Sequence, residues 1–443
     1  MQPVPAAPVP WPAPTAPGPV RATVRLPGSK SVTARALVLA ALAEGPSTVH
    51  DPLRARDTEL MAAGLRAMGT YISTADPARW LVRPRQLSGP AHVDVGLAGT
   101  VMRFLPPVAA LADGPVTFSG DPQAARRPLQ PLVAGLRAAG VRVTAGQTGG
   151  LPLTVHGTGA VVGGEIDIDA SASSQFVSGL LLAAPRFRDG VVVRHTGEKL
   201  PSRPHLRMTV EMLRAAGAGV DDSLPHVWAV QPGKLAGRAW QVEPDLSGAA
   251  PFLAAALVTG GEVTVPAWPP NTTQPGHQLR ELLTRMGATC TLTPQGLTVR
   301  GHGTVHGIDA DLSDVSELTP VVAALCAVAD APSRLWGIAH IRGHETDRLR
   351  ALARELSGLG AEVSETPDGL NIRPRPLHGG RFETYHDHRM AHAAAVLGLV
   401  VPGVQLSDVS CTTKTLPDFA DLWSAMVGGP AGDRPRRGDQ PRG

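Results

Sequence analysis

A spaced repeat limits what this chain can become more than any other feature. A Leu-x-x-x-Gly signature closes an amphipathic segment at residues 65–69, 136–140, 213–217, 283–287 and 356–360, returning every 70 to 77 residues. Within each segment the apolar residues fall at helical spacing, as in Leu60, Leu65 and Met68, or Leu279, Leu282, Leu283 and Met286. The glycine stands where a left-handed residue ends a helix. A sixth copy spans 419–427 and closes on Gly428. Short alternating runs such as Val141-Arg142-Val143-Thr144 follow most copies and read as strands. A second helical class alternates with the first, over 31–42, 99–111, 174–184, 247–258, 317–328 and 387–400. These six segments are rich in Ala, Leu and Val and nearly uncharged beyond their first turns, so they must be buried on nearly all sides. Six units result, each with one buried helix, one amphipathic helix and strands. Three units per domain, helices inside and sheets outside, is the simplest arrangement that hides all six apolar helices.

Length agrees, since 443 residues exceed what one hydrophobic core usually supports. The 49 glycines and 43 prolines supply the many turns that short elements need. A formal charge of +3 is too mild for a nucleic-acid partner, so any basic site is local. Cys290, Cys326 and Cys411 are odd in number and lack metal-ligand spacing, which argues against a disulfide framework and a zinc site and favours a reducing cytoplasm. No apolar run approaches the roughly 20 residues that cross a bilayer, so no membrane partner is expected. Residues 1–20, rich in proline and free of charge, read as a disordered and dispensable tail, and residues 428–443 as a second one.

The informative polar residues crowd at the starts of the buried helices. Gly28-Ser29-Lys30-Ser31 opens the first, with Arg35 one turn in; Ala98-Gly99-Thr100 opens the second, with Arg103 following. Ser173-Ser174-Gln175 opens the third, Glu317 the fifth and Asp387-His388-Arg389 the last. Helix starts carry unpaired N–H groups and about half a positive charge, so several aimed at one cleft would hold small phosphorylated acids. Plain N-capping competes as a reading for any single serine, and a solvated charge for any single basic residue. Two charged stretches remain, Asp121-Pro122-Gln123-Ala124-Ala125-Arg126-Arg127-Pro128 and His344-Glu345-Thr346-Asp347-Arg348, either of which could also be a surface turn.

Leu26-Pro27-Gly28-Ser29-Lys30-Ser31, Leu97-Ala98-Gly99-Thr100-Val101-Met102-Arg103, the stretch from His344 to Arg348 and Asp387-His388-Arg389-Met390 occur in this order. In them the chain resembles the 5-enolpyruvylshikimate 3-phosphate synthase family of enolpyruvyl transferases, over about residues 26–417. The resemblance implies a two-domain inverse α/β barrel, or prism, of six βαβαββ repeats. It implies a first domain at 26–243 and a second made of 21–25 plus 244–427, with hinges near 26 and 243. It further implies transfer of the enolpyruvyl group of phosphoenolpyruvate to the 5-hydroxyl of shikimate 3-phosphate through a tetrahedral intermediate, with no cofactor, by a monomer.

Carried over residue by residue, the resemblance assigns Lys30, Ser31, Arg35, Ser173, Ser174, Gln175, Ser202, Glu317, His340 and His344 to shikimate 3-phosphate. It assigns Lys30, Gly99, Arg127, Arg348, Arg389 and Lys414 to phosphoenolpyruvate, and Lys30, Glu317 and Glu345 to proton transfer. Guanidinium forks suit the phosphate and carboxylate oxygens of both substrates. The chain departs from the family's commonest pattern at Leu97, Gln123, His205, Glu317, His340 and His344. The sister enzyme acting on UDP-N-acetylglucosamine usually carries a loop cysteine, and residues 121–128 hold none. A non-catalytic protein of the same fold would be expected to have lost Lys30, Glu345 or Arg389. The histidines at 302, 306, 386, 388 and 392 lack a convincing acidic partner for a metal site.

Overall fold

The computed structural model describes residues 10–428. The first half of the chain supplies α1 (Lys30–Leu42), α2 (Arg56–Ala67), α3 (Gly99–Ala109), α4 (Gln130–Ala138), α5 (Gln175–Ala183) and α6 (Arg203–Ala215). The second supplies α7 (Ala250–Thr259), α8 (Leu279–Arg285), α9 (Thr319–Ala327), α10 (Arg348–Gly358), α11 (His388–Gly398) and α12 (Phe419–Gly428). Odd-numbered helices are the charge-poor segments and even-numbered helices the amphipathic ones. The glycines of the repeat do what their place requires: Gly69, Gly140, Gly217, Gly287 and Gly360 have φ of 102, 87, 93, 100 and 110°.

Burial follows from this alternation. α1, α3 and α5 pack on one another, as do α7, α9 and α11, giving each half a three-helix centre. One core draws on residues from Ala34 to Val242 and the other on Ala13, Val20, Val24 and residues from Leu246 to Met426. Six separate sheets accompany the helices, five of four strands and one of three. In the second unit, Ala91–Asp94 runs parallel to Asp113–Ser119, which pairs antiparallel with the hairpin of Arg142–Ala145 and Leu153–Thr158. The third, fourth and fifth sheets repeat this order.

Two sheets are completed from far along the chain. Ala239–Gln241 pairs parallel with Ser47–His50 in the first, and Arg21–Thr23 with Glu262–Pro266 in the fourth. The chain therefore crosses between the cores twice, and the crossings bond to each other: Ser29 N donates to Glu243 O at 2.7 Å and Asp245 N to Pro27 O at 2.9 Å.

The expected N-terminal tail needs correction from residue 10 onward; residues 1–9 lie outside the described residues, as do 429–443 of the second expected tail. Trp11–Pro12 pairs antiparallel with Val404–Leu406 and forms the third strand of the sixth sheet, where the other units place their own hairpin. Ala13 N donates to Val404 O at 3.0 Å, and Val20 O accepts from Glu262 N at 2.7 Å. An edge strand bonds along one side only, so proline is tolerated there, and proline content misled the sequence reading. Removing residues 1–20 is therefore expected to lower the melting temperature by about 5–10 °C through lost burial of Val20 and Ala13. An unchanged melting curve would restore the tail reading.

Candidate active site

The starts of all six inner helices reach one cleft, which holds about 980 Å³ of empty space and is lined from both cores. Lys30 and Ser31 come from α1, Gly99 and Thr100 from α3, and Ser174 and Gln175 from the start of α5. Ser247 precedes α7, Glu317 precedes α9, and His388 and Arg389 open α11. Ser29 caps α1 through Val32 N, and Asp387 caps α11 through Arg389 N at 2.9 Å. No side chain of the preceding residue caps α3, α5, α7 or α9. Ser31 and Ser174 are thus not spent on capping; the Ser174 hydroxyl points to Ser202 O at 3.5 Å.

Of the residues assigned from sequence, Lys30, Ser31, Gly99, Arg127, Ser173, Ser174, Gln175, Ser202, Glu317, His340, His344, Glu345, Arg348 and Arg389 all line this cleft. Lys414 stands one layer back and donates to Glu345. Arg35 departs from the expectation. It lies one helical turn below Ser31, 1% exposed, and its N–H groups are taken by Thr209 Oγ1 at 2.8 Å, Ser31 O at 3.1 Å and His205 O at 3.1 Å. Its place is behind the wall, holding Ser31 and His205.

Charge is distributed unevenly. Arg348 is held bidentately by Asp387, at 2.7 and 3.0 Å, and also bonds Glu345 at 3.0 Å. Burial by itself would lower the Arg348 guanidinium, but the two carboxylates outweigh it and raise it. Burial would likewise raise the Glu345 carboxyl, yet Lys414 and Arg348 hold it well below the usual carboxylate range. Arg103, Arg127 and Arg389 have no such partner; they donate to Gln175 Oε1 at 3.0 Å, Leu97 O at 3.2 Å and Ser247 O at 2.6 Å, all neutral. The three are 3, 8 and 6% exposed. Nε of Arg103 and of Arg127 has no partner at all. Burial pushes the Arg103 guanidinium well down and lowers that of Arg389. Buried cations without counter-charge are costly, so the cleft is built for an anion that neutralises them.

The imidazoles around the site are neutral. Burial lowers His205, takes His340 down to about 4, and pushes His344, His388 and His392 well below the ordinary histidine value. His392 is fully buried beside Phe419, with both ring nitrogens unpartnered. Between the unfolded pKa of about 6.5 and these lower folded values the unfolded chain binds more protons, so stability falls as pH drops below about 6.5. Each imidazole contributes about 1.4 kcal/mol per pH unit of that window. Urea unfolding at pH 7 and pH 5 should show this loss, and His392→Met should reduce it by one imidazole's share; equal stability at both pH values would contradict the neutral histidines.

Sequence reasoning did not assign Arg103, Asp57, Asp245 or Asp387. Arg103 lines the cleft one turn after Gly99, and its signal was a lone charge in a charge-free helix. Asp57, 2% exposed, holds Lys30 Nζ at 3.3 Å across 27 residues of sequence, for which no local signal exists.

A family model described as EPSP synthase (3-phosphoshikimate 1-carboxyvinyltransferase) matches residues 14–423. A 2.37 Å structure of EPSP synthase from Acinetobacter baumannii is similar at 26% identity and a TM-score of 0.78, covering 95% of this chain and 98% of its own. A second structure of EPSP synthase from that organism is similar at 25% identity and a TM-score of 0.74, covering 92 and 96%. With both cores and the anion-seeking cleft of that fold in place, the chain belongs to the EPSP synthase family, the 3-phosphoshikimate 1-carboxyvinyltransferases of aromatic amino acid biosynthesis.

Proposed function

We propose that the cleft divides between the two substrates by core. Lys30, Ser31, Ser173, Ser174, Gln175, Ser202, Glu317, His340 and His344 hold shikimate 3-phosphate. Lys30, Gly99, Arg127, Arg348, Arg389 and Lys414 hold phosphoenolpyruvate, joined by Arg103. The observation that carries this reading is the set of buried guanidiniums, Arg103, Arg127 and Arg389, that find only neutral partners in the protein. Glu317, kept ionised against its own burial by His205 and Arg389, accepts the proton of the attacking 5-hydroxyl. Glu345 delivers a proton to carbon 3 of phosphoenolpyruvate. In the empty cleft Lys414 and Arg348 keep Glu345 ionised. A substrate carboxylate and phosphate that draw on those cations weaken this hold, so binding itself raises the Glu345 pKa toward the value an acid needs. Lys30 stands between the two substrates and serves as a second proton carrier.

The bonded crossings at residues 27–29 and 243–245 act as the hinge, and closure excludes water from the reacting centre. A monomer suffices, because every group of the site comes from one chain. No helix among the described residues is long and apolar enough to cross a membrane, and with three free cysteines this supports a cytoplasmic place.

Phosphate release should occur with phosphoenolpyruvate plus shikimate 3-phosphate and be absent with UDP-N-acetylglucosamine in its place; the reverse would overturn the substrate assignment. Gly99 offers a finer check. A Cβ built on it falls 2.7 Å from Arg103 Nη1 and 3.1 Å from Arg127 Nη1 and Nη2. Gly99→Ala should therefore displace the forks that hold the phosphate and raise the KM for phosphoenolpyruvate about tenfold, the worth of one charge-assisted bond. An unchanged KM would remove Gly99 from that subsite.

A further inference from the structure

The first turn of α6 meets residues 313–317 of the other core at three successive positions. Ser202 N donates to Ser313 O at 2.9 Å. The Asp314 carboxylate accepts from Arg203 N at 3.2 Å, from its Nε at 3.1 Å and from its Nη2 at 2.8 Å. His205 Nδ1 lies 3.7 Å from Glu317 Oε1. Ser202 sits in the left-handed region, with φ 55° and ψ 44°, and its own side chain does not cap α6. The N-terminal cap of a helix in one core is thus supplied by a carboxylate of the other.

Neither Arg203 nor Asp314 lines the cleft, yet each adjoins residues that do, Ser202 on one side and Glu317 on the other. The segment carrying Asp314 is itself fixed, with Ser313 N bonded to Asp311 Oδ1 at 2.9 Å, Val315 N to Leu312 O at 3.0 Å and Leu318 N to Val315 O at 2.8 Å. Movement of Asp314 therefore carries Glu317 with it. The Arg203 side chain is 64% exposed, and an exposed ion pair alone adds little. The backbone cap and the two-pronged geometry make the contact specific, because both form only in one closed register of the two cores.

We propose that Asp314 is a positioning residue, a latch that caps α6 across the gap between the cores and so sets Glu317 and Ser202 against shikimate 3-phosphate. This rests on the placement of Ser202 and Glu317 at that substrate. Without the latch the closed arrangement is less populated, and apparent affinity falls by the fraction lost.

Steady-state kinetics of the full chain test this, with melting curves to confirm folding. Asp314→Ala should raise the KM for shikimate 3-phosphate about five- to tenfold, the worth of one helix cap with its ion pair, and lower kcat less. Arg203→Met, which keeps the backbone N–H, should raise it less. Asp314→Asn should recover part of the loss, since its carbonyl still caps α6. The double variant should be no worse than Asp314→Ala, as expected for one shared interaction. Additive losses, or an unchanged KM in Asp314→Ala, would overturn the latch. Glu317→Gln in the same assay separates the two layers: full activity there sinks the site reading and the latch with it. A crippled Glu317→Gln beside a fully active Asp314→Ala sinks the latch alone.

Discussion

Glu345→Gln is expected to lower kcat by about two to four orders of magnitude, the usual worth of a positioned general acid or base. The amide keeps the shape of the carboxylate and can still accept from Arg348 and Lys414, so the site should stay assembled. What it cannot do is carry a proton to carbon 3. The KM for phosphoenolpyruvate should change little or fall, because Arg348 and Lys414 lose a competing anion and turn more fully to the substrate. The pH profile gives the sharper reading. If substrate binding raises the Glu345 pKa, the limb of kcat governed by this acid disappears in the variant, while the limb of free-enzyme binding stays. Turnover within a few-fold of the unaltered enzyme would show that the proton comes from elsewhere, with Lys30 the next candidate.

Arg348→Met should damage both folding and binding. Arg348 is 2% exposed and joins Asp387, which is fully buried, to Glu345, which is 8% exposed at its side chain. Taking away the cation leaves two buried carboxylates uncompensated, at a cost of about 3–5 kcal/mol in stability. Asp387 also caps α11, so its reorientation would loosen the start of the helix that presents His388 and Arg389. Phosphoenolpyruvate KM should rise at least about tenfold on top of this. Arg348→Lys separates the two effects. A point charge compensates Asp387 and Glu345 but lacks the planar fork, so it should restore much of the stability and little of the affinity. Equal melting temperatures for Arg348→Met and the unaltered chain would mean that the carboxylates find other partners, and the charge accounting of the site would be wrong.

The chain's own pattern determined the six-fold architecture. Apolar spacing, terminal glycines and charge-free segments are local properties, since residues three and four apart share one helical face whatever surrounds them. The same holds for the cleft as an anion site, because the starts of helices are visible in sequence and their field is a property of each helix alone. Motif order then named the family. Tertiary structure decided what depends on distant partners. Trp11–Pro12 looked like tail because its strand partner lies near residue 405, and no local pattern announces it. Arg35 and Arg103 each follow a polar helix start by four or five residues, yet one is bonded behind the wall and the other faces the cleft without a counter-charge. Which carboxylate meets which cation, as with Lys30 and Asp57 or Glu345 and Lys414, is set by how the helices and the two cores pack. A buried charge is fixed in role by what surrounds it in space, and that surrounding is non-local by nature.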